Sequence, residues 1–243
     1  ADASDARWAA GKALSPLDGV PVTLKENIYT VGDPAPIGTA ANTTEPKAVN
    51  SPVADRLREA GLVLVGKTTM PDFGMLSSGQ SSFHGVTRNP WQPSRNPGGS
   101  SSGAGAACAA GYGPLHIGTD IGGSIRLPAS FCGIFGLKPS LGRVPINPPY
   151  MGRVAGPMTR TVLDAALLMN VIARPDPDHR DFMDLPTQPV DYAAELERFS
   201  LKGKRIGVLT EMKVGREVQA DVAAAAWECG QLLEQRGARV EPL

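Results

Sequence analysis

The chain has 243 residues, 42% apolar, 20% charged and 5% aromatic, which is enough for one large domain or two small ones around a sizeable core. Lys plus Arg equal Asp plus Glu at 24 each, so the balanced charge gives no ground for a nucleic-acid partner or an acidic tail. The 28 Gly and 22 Pro fall in short clusters without a repeat, which excludes collagen and disorder, and no apolar run nears the roughly 18 residues of a membrane helix.

Asp2 to Ala10 reads as a weak helix and Val20 to Leu24 as a short strand after a Pro-Leu-Asp-Gly turn. Ser51, followed by Pro52, predicts the start of a helix that runs to Ala60 and stops at Gly61. Leu62 to Val65 is a continuous apolar run, the pattern of a strand covered on both faces. Residues 71–101 are rich in turns. Small residues from Ser102 to Ala110 predict a tightly packed helix, followed by strands at Leu115 to Gly118 and Ile134 to Leu137. Thr161 and Asp164 have capping-box spacing and open a helix to about Ala173. Residues 174–200, with four prolines and many acids, read as a surface crossing.

Residues 201–243 read as the start of a further β-α-β unit: a buried strand at Arg205 to Leu209, an amphipathic helix from Val218 to Arg236, and a strand opening at Ala238. Its apolar faces call for partners, so further sequence is expected beyond Leu243; the start at Ala1, without Met, also reads as a cut end. No basic-then-apolar opening segment is present, and Cys108, Cys132 and Cys229 are odd in number and far apart. Reduced thiols, no secretory signal and a cytoplasmic setting are the expectation. Strands alternating with helices predict an α/β fold.

The chemistry-bearing stretch is residues 96–124. Gly98-Gly99-Ser100-Ser101-Ser102-Gly103 and Gly118-Thr119-Asp120-Ile121-Gly122-Gly123-Ser124 flank one helix and one strand, so both can face one crevice. Glycines let backbone N–H groups crowd around a point, forming a concave anion site suited to an oxyanion; tight turns are the plain alternative. A serine nucleophile needs a base. Of three histidines, His116 falls in a buried strand and His179 in the acidic crossing, and none has an evident acidic orienter. A lysine serves if burial lowers its pKa, and Lys25 ends the apolar strand; a strand-end lysine reaching water is the plain reading.

Four ordered segments, Gly19 to Asn27, Gly98 to Gly103, Gly118 to Arg126 and Pro128 to Pro139, resemble the amidase signature family. The intervals also match it: 75 residues from Lys25 to Ser100 and 24 from Ser100 to Ser124. The likeness is continuous from about residue 17 to 173 and weaker beyond; Ser102 stands where the family commonly has glycine. The resemblance implies a mixed central sheet with helices on both faces, its C-terminal portion lying outside this chain. It implies a Ser–Ser–Lys triad: Ser124 as nucleophile, Ser100 (whose preceding peptide bond is cis in the family) as bridge, and Lys25 as the neutral base. The backbone amides of Ile121, Gly122, Gly123 and Ser124 would form the oxyanion hole. Asp120 and Arg126 would hold the loop, Ser101 would join the triad network, and Gly74, Met75 and Leu76 would line the acyl pocket.

The same resemblance implies an amidase acting on a small-molecule amide, with no cofactor or metal, no nucleic acid or membrane partner, and a possible homo-oligomer. The whole of residues 1–243 would be one incomplete amidase signature domain. Three rivals have sequence tests. An A-type glutaminase subunit of a tRNA-dependent amidotransferase would use the same triad, but Val144 to Tyr150 does not resemble that branch. Gly99-Ser100-Ser101-Ser102-Gly103 also fits the G-x-S-x-G elbow of a His-dependent esterase with Ser101 as nucleophile, which requires a preceding strand. A cysteine amidase of the nitrilase kind would use a thiol instead.

Overall fold

Strand β1 (Pro21–Lys25) sets the frame: alternation puts Val22 and Leu24 in the larger core and turns Thr23 and Lys25 to the opposite face. The structure, a computed structural model, describes residues 1–243 except 182, 184–187, 212–214 and 216. It divides into two units, Ala1–Leu196 and Glu197–Leu243.

In the first unit, α1 (Asp2–Ala9) precedes β1; α2 (Pro52–Glu59) and β2 (Val63–Thr68) follow it. A 3-10 turn (Asp72–Gly74) and a two-stranded ribbon, β3 (Gln80–Ser81) and β4 (Gly85–Val86), occupy the turn-rich stretch. Then come α3 (Ser102–Ala109), β5 (Leu115–Asp120), α4 (Arg126–Cys132), β6 (Phe135–Gly136), β7 (Val154–Thr159) and α5 (Val162–Ile172), with α6 (Tyr192–Arg198) at the unit boundary. The five-stranded sheet has the order β2-β1-β5-β7-β6. β1 is parallel to β2 and β5, whereas β7 runs antiparallel to β5 and β6, which makes the sheet mixed.

Helices cover both faces. Val53 and Leu57 of α2 and Leu168 and Ile172 of α5 pack with Val22, Leu24, Leu115 and Ile117, while Ala104 of α3 and Ile125 meet Met158 on the other side. Thr161 caps α5 as its spacing predicts, its hydroxyl accepting from the Asp164 N–H at 3.1 Å. Ser51 stands at the start of α2, but its hydroxyl accepts from the Asn147 N–H at 3.2 Å and gives the helix no side-chain cap.

β2 corrects one expectation. It is a sheet edge and Val65 is 57% exposed, so the apolar run Leu62 to Val65 is not covered on both faces. α4 and β7 carried no sequence signal. Pro128 sits inside a helix of only seven residues, and Gly156-Pro157 inside a strand reads as a break. The crossing after α5 holds two buried carboxylates: Asp176 pairs with Arg180 at 2.8 Å, and Asp181 accepts from the Ile146 N–H. The remainder of that expected crossing lies partly outside the described residues.

The second unit is a β-α-β unit, as its pattern predicts: β8 (Arg205–Val208) and β9 (Arg239–Pro242) pair in parallel around α7 (Ala220–Gln235). β8 is not buried along its length; Arg205 and Gly207 are exposed and Val208 alone is buried. No helix among the described residues is long and apolar enough to cross a membrane.

Candidate active site

Lys25 ends β1 on the face opposite the larger core and is 1% exposed. Its Nζ donates to Ser100 Oγ at 2.7 Å and to Thr119 Oγ1 at 3.1 Å. Burial, with the charge of Arg153 acting in the same direction, pushes the amine down to about 7 against the opposing pull of Asp120 and Glu26. A group at that value is about half uncharged at neutral pH, whereas an exposed lysine is almost wholly protonated. The plain reading of a strand-end lysine reaching water does not hold.

The two glycine-serine loops do meet. The Gly99–Ser100 peptide bond is cis. Ser101 N–H donates to the Ser124 carbonyl at 3.0 Å, and Ser101 Oγ donates to the Thr119 carbonyl and accepts from the Thr119 N–H. Ser101 thus stitches the Ser100 loop to the strand and loop that carry Ser124. A side chain at Gly118 would meet Ser101 Oγ and Met158 Sδ at 2.7 Å, and one at Gly99 would meet backbone of Leu76 and Ser78 at 2.6 Å. Crowding by backbone at Gly99, and by the buried Ser101 and Met158 side chains at Gly118, therefore favours glycine at both places.

Asp120 organises the loop that carries Ser124. Its carboxylate accepts from the N–H groups of Gly123 (2.8 Å), Ile125 (3.0 Å) and Arg126 (3.3 Å) and from the Arg126 guanidinium at 2.9 and 3.0 Å. Burial alone would raise this carboxyl; the Arg126 bonds and the three amides outweigh it and hold it at about 2. The amides of Ile121, Gly122 and Ser124 have no acceptor among the described residues, whereas that of Gly123 is committed to Asp120. Of the four amides expected to receive an oxyanion, that of Gly123 is therefore already a donor to Asp120. Ser124 Oγ, partly exposed, has no hydrogen-bond partner among the described residues; the hydroxyl-to-hydroxyl link to Ser100 is open in this structure.

Gly74, with φ +69°, lies against Ser100: a side chain there would come within 3.2 Å of its hydroxyl. Met75 and Leu76 are 81% and 48% exposed, and Ile121, 52% exposed, lies beside Gly152. Sequence reasoning missed Thr119, Asn27 and Arg153. Thr119 lies inside the quoted glycine-serine segment, but nothing in the one-dimensional pattern tells which of its polar residues faces Lys25.

The rival catalytic constellations fail on geometry. Ser101 is fully buried and both hydrogen-bonding functions of its hydroxyl are engaged by Thr119 backbone, and residues 94–97 form no strand before it. His116 is a core residue: Nδ1 meets Thr23 Oγ1 at 2.8 Å, Nε2 meets the Gly113 carbonyl, and burial pushes the ring down to about 4. His84 does have an acidic partner that the sequence did not reveal, Glu26 at 2.8 Å, but the Ser101 hydroxyl is engaged by Thr119 backbone and not by this ring. Cys108 and Cys132 are buried and free, and burial pushes both thiols up to about 11, which disfavours the thiolate a cysteine amidase requires. No cluster of three His, Cys, Asp or Glu side chains able to hold a metal occurs among the described residues.

Comparison with known proteins gives a consistent result. The chain is 44% identical over 246 residues to the A-type subunit of the glutamyl-tRNA(Gln) amidotransferase of Chloroflexus aggregans, a match covering 98% of this chain and 49% of that protein. The native peptide amidase of Stenotrophomonas maltophilia superposes with a TM-score of 0.88 at 34% identity, covering 100% of this chain and 51% of that one. The corresponding A-type subunit from Thermotoga maritima gives 0.82 at 35% identity, over 93% and 51% of the respective chains. The chain spans about half the length of these relatives. The profile of the family described as Amidase matches residues 1–243, and the chain belongs to that family, the amidase signature enzymes.

Proposed function

We propose that this site cleaves the C–N bond of a small carboxylic acid amide. Ser124 Oγ attacks the carbonyl carbon while its proton passes by way of Ser100 to the neutral amine of Lys25. The tetrahedral oxyanion is received by the free N–H groups of Ile121, Gly122 and Ser124, and each such donor contributes about 2.7–4 kcal/mol to transition-state stabilisation. The relay then returns the proton to the leaving nitrogen, the C–N bond breaks, and water hydrolyses the Ser124 ester to release the acid. Asp120, Arg126 and Ser101 hold the loops, and Gly74, Met75 and Leu76 border the acyl group. The observation that supports this reading is a buried amine, held near neutrality, 2.7 Å from the hydroxyl of Ser100, whose loop is bonded to the Ser124 loop through the Ser101 N–H and the Ser124 carbonyl. Catalytic hydrogen bonds are commonly long before substrate binds, so the open Ser100–Ser124 link accords with a resting site.

In the full-length protein, Ser124→Ala and Lys25→Ala should each lower amide turnover by several powers of ten with the circular dichroism spectrum unchanged. Retained turnover in Ser124→Ala overturns the reading. A second reading shares the chemistry: a glutaminase subunit delivering ammonia to a tRNA-dependent partner. It is favoured by the 44% identity to the A-type amidotransferase subunit of C. aggregans, although in structural superposition the T. maritima A-type subunit and the peptide amidase are equally similar, at 35% and 34%. Assays on glutamine against simple aliphatic and aromatic amides, with co-purification, separate the two: glutamine turnover with a bound partner selects the amidotransferase.

A further inference from the structure

Lys25 has a second polar contact, and that contact has an anchor. Thr119 Oγ1 lies 3.1 Å from Lys25 Nζ on one side and accepts from Asn27 Nδ2 at 3.0 Å on the other. All three side chains are buried, Asn27 to 8% and Thr119 to 4% exposure. The main chain of Thr119 is fixed by Ser101 through both its N–H and its carbonyl, so the free variable is its side-chain rotamer. Threonine carries a hydroxyl and a methyl on the same Cβ, and a rotation of about 120° between staggered wells exchanges them. Turned that way, the methyl would face the amine. The Asn27 carboxamide selects the rotamer that presents oxygen.

Asn27 is otherwise poorly provided for. Its Oδ1 is buried with no hydrogen-bond partner among the described residues, an arrangement that an apolar side chain of the same size would avoid. The turn after β1, in which the Ile28 N–H donates to the Lys25 carbonyl at 2.9 Å, brings Asn27 back alongside the amine it follows by two positions. We propose that Asn27 is a positioning residue: through Thr119 it holds the Lys25 amine in line with Ser100. This rests on the proposed Ser–Ser–Lys reading and adds to it the group that aims the base. The charged groups felt by Lys25 are Arg153, Asp120 and Glu26, and Asn27 adds a neutral clamp to that set.

The test uses the full-length protein and a small phosphonyl fluoride, whose rate of bond formation to Ser124 reports activation of that hydroxyl whatever the natural amide. Asn27→Leu should slow phosphonylation 10- to 100-fold at pH 8 with the melting transition retained. Thr119→Val, which puts a methyl where the oxygen stood, should slow it similarly. The double variant should be no slower than Thr119→Val alone, because Asn27 acts through Thr119. Asn27→Asp places a carboxylate beside the amine and should move the midpoint of the pH–rate profile upward by a unit or more, as a charge at that distance acts on the amine directly. Should Asn27→Leu fail to fold, Asn27→Ala in the same comparison of single and double variants decides. An unchanged rate in Asn27→Leu, additive losses in the double variant, or an unmoved profile in Asn27→Asp each overturns the proposal. Absence of labelling in the wild-type protein would instead overturn the triad reading on which it stands.

Discussion

Two lysines on neighbouring strands meet different fates. Lys25 of β1 and Lys67 of β2 lie one register step apart, since Leu24 is the partner of Lys67 and Lys25 that of Thr68. Burial lowers both, Lys25 to about 7 and Lys67 to about 8. Yet Lys67 Nζ donates to the Ile28 carbonyl, a group with no proton to give, whereas Lys25 Nζ meets the hydroxyls of Ser100 and Thr119. Desolvation makes either amine a base near neutrality, but a proton relay needs a partner that can surrender a proton. The lesson is that a depressed lysine marks a reacting group only when hydroxyls face it.

The sharpest way to break that contrast is to remove each amine in turn. Lys25→Met should lower amide turnover by several powers of ten, while Lys67→Met should change it tenfold at most, both read as kcat/KM on the same amide. A loss at Lys67 as deep as that at Lys25 would erase the distinction.

The next effect is on stability. The folded Lys25 has its pKa depressed from 10.5 to about 7, so between those values the unfolded chain binds the proton that the folded chain lacks. Stability accordingly rises with pH from about 7 to about 10.5, and the penalty of burying the charged form is complete below the folded pKa. That penalty is on the order of 5 kcal/mol. Lys25→Met should therefore raise the urea midpoint, more at pH 6 than at pH 10. Lys67→Met should act in the same direction and less, because its shift is smaller. A Lys25→Met protein whose gain is independent of pH would show the amine to be less desolvated than its 1% exposure implies.

Smaller effects test what holds the two loops at Lys25. Ser101→Ala strands a buried N–H and a buried carbonyl of Thr119 and should cost about 1–3 kcal/mol of stability with a parallel loss of turnover. Thr161→Ala, which removes the cap of α5, should cost about 1 kcal/mol and leave kcat/KM untouched.

Much of the fold was legible where the pattern is local. β1, α2, α3, β5, α5 and the later β-α-β unit follow from periodicity, caps and glycine stops. α4 and β7 were not, since Pro128 and Pro157 read as breakers in one dimension and are accommodated only by their neighbours. β2 looked buried from its apolar run, but it lies at the sheet edge, which strand order decides and composition does not. The site divides in the same way. The glycine-serine segments and the strand-end lysine stand out by residue type, and their spacing carries the family likeness. The commitment of the Gly123 amide to Asp120, and the place of Asn27 behind Thr119, depend on loop paths that no spacing encodes.

The sequence by itself determined the inventory: a charge-balanced α/β chain with a lysine closing an apolar strand and two loops whose glycines permit backbones to crowd. Only the tertiary structure decided that the lysine is sealed from water, that its hydrogen-bond partners are hydroxyls, and that three amides of the Ser124 loop are free while the fourth is taken. The physical reason is that backbone permissiveness is a property of single residues. Desolvation and hydrogen-bond competition are properties of groups brought together from residues as far apart as Lys25 and Thr119.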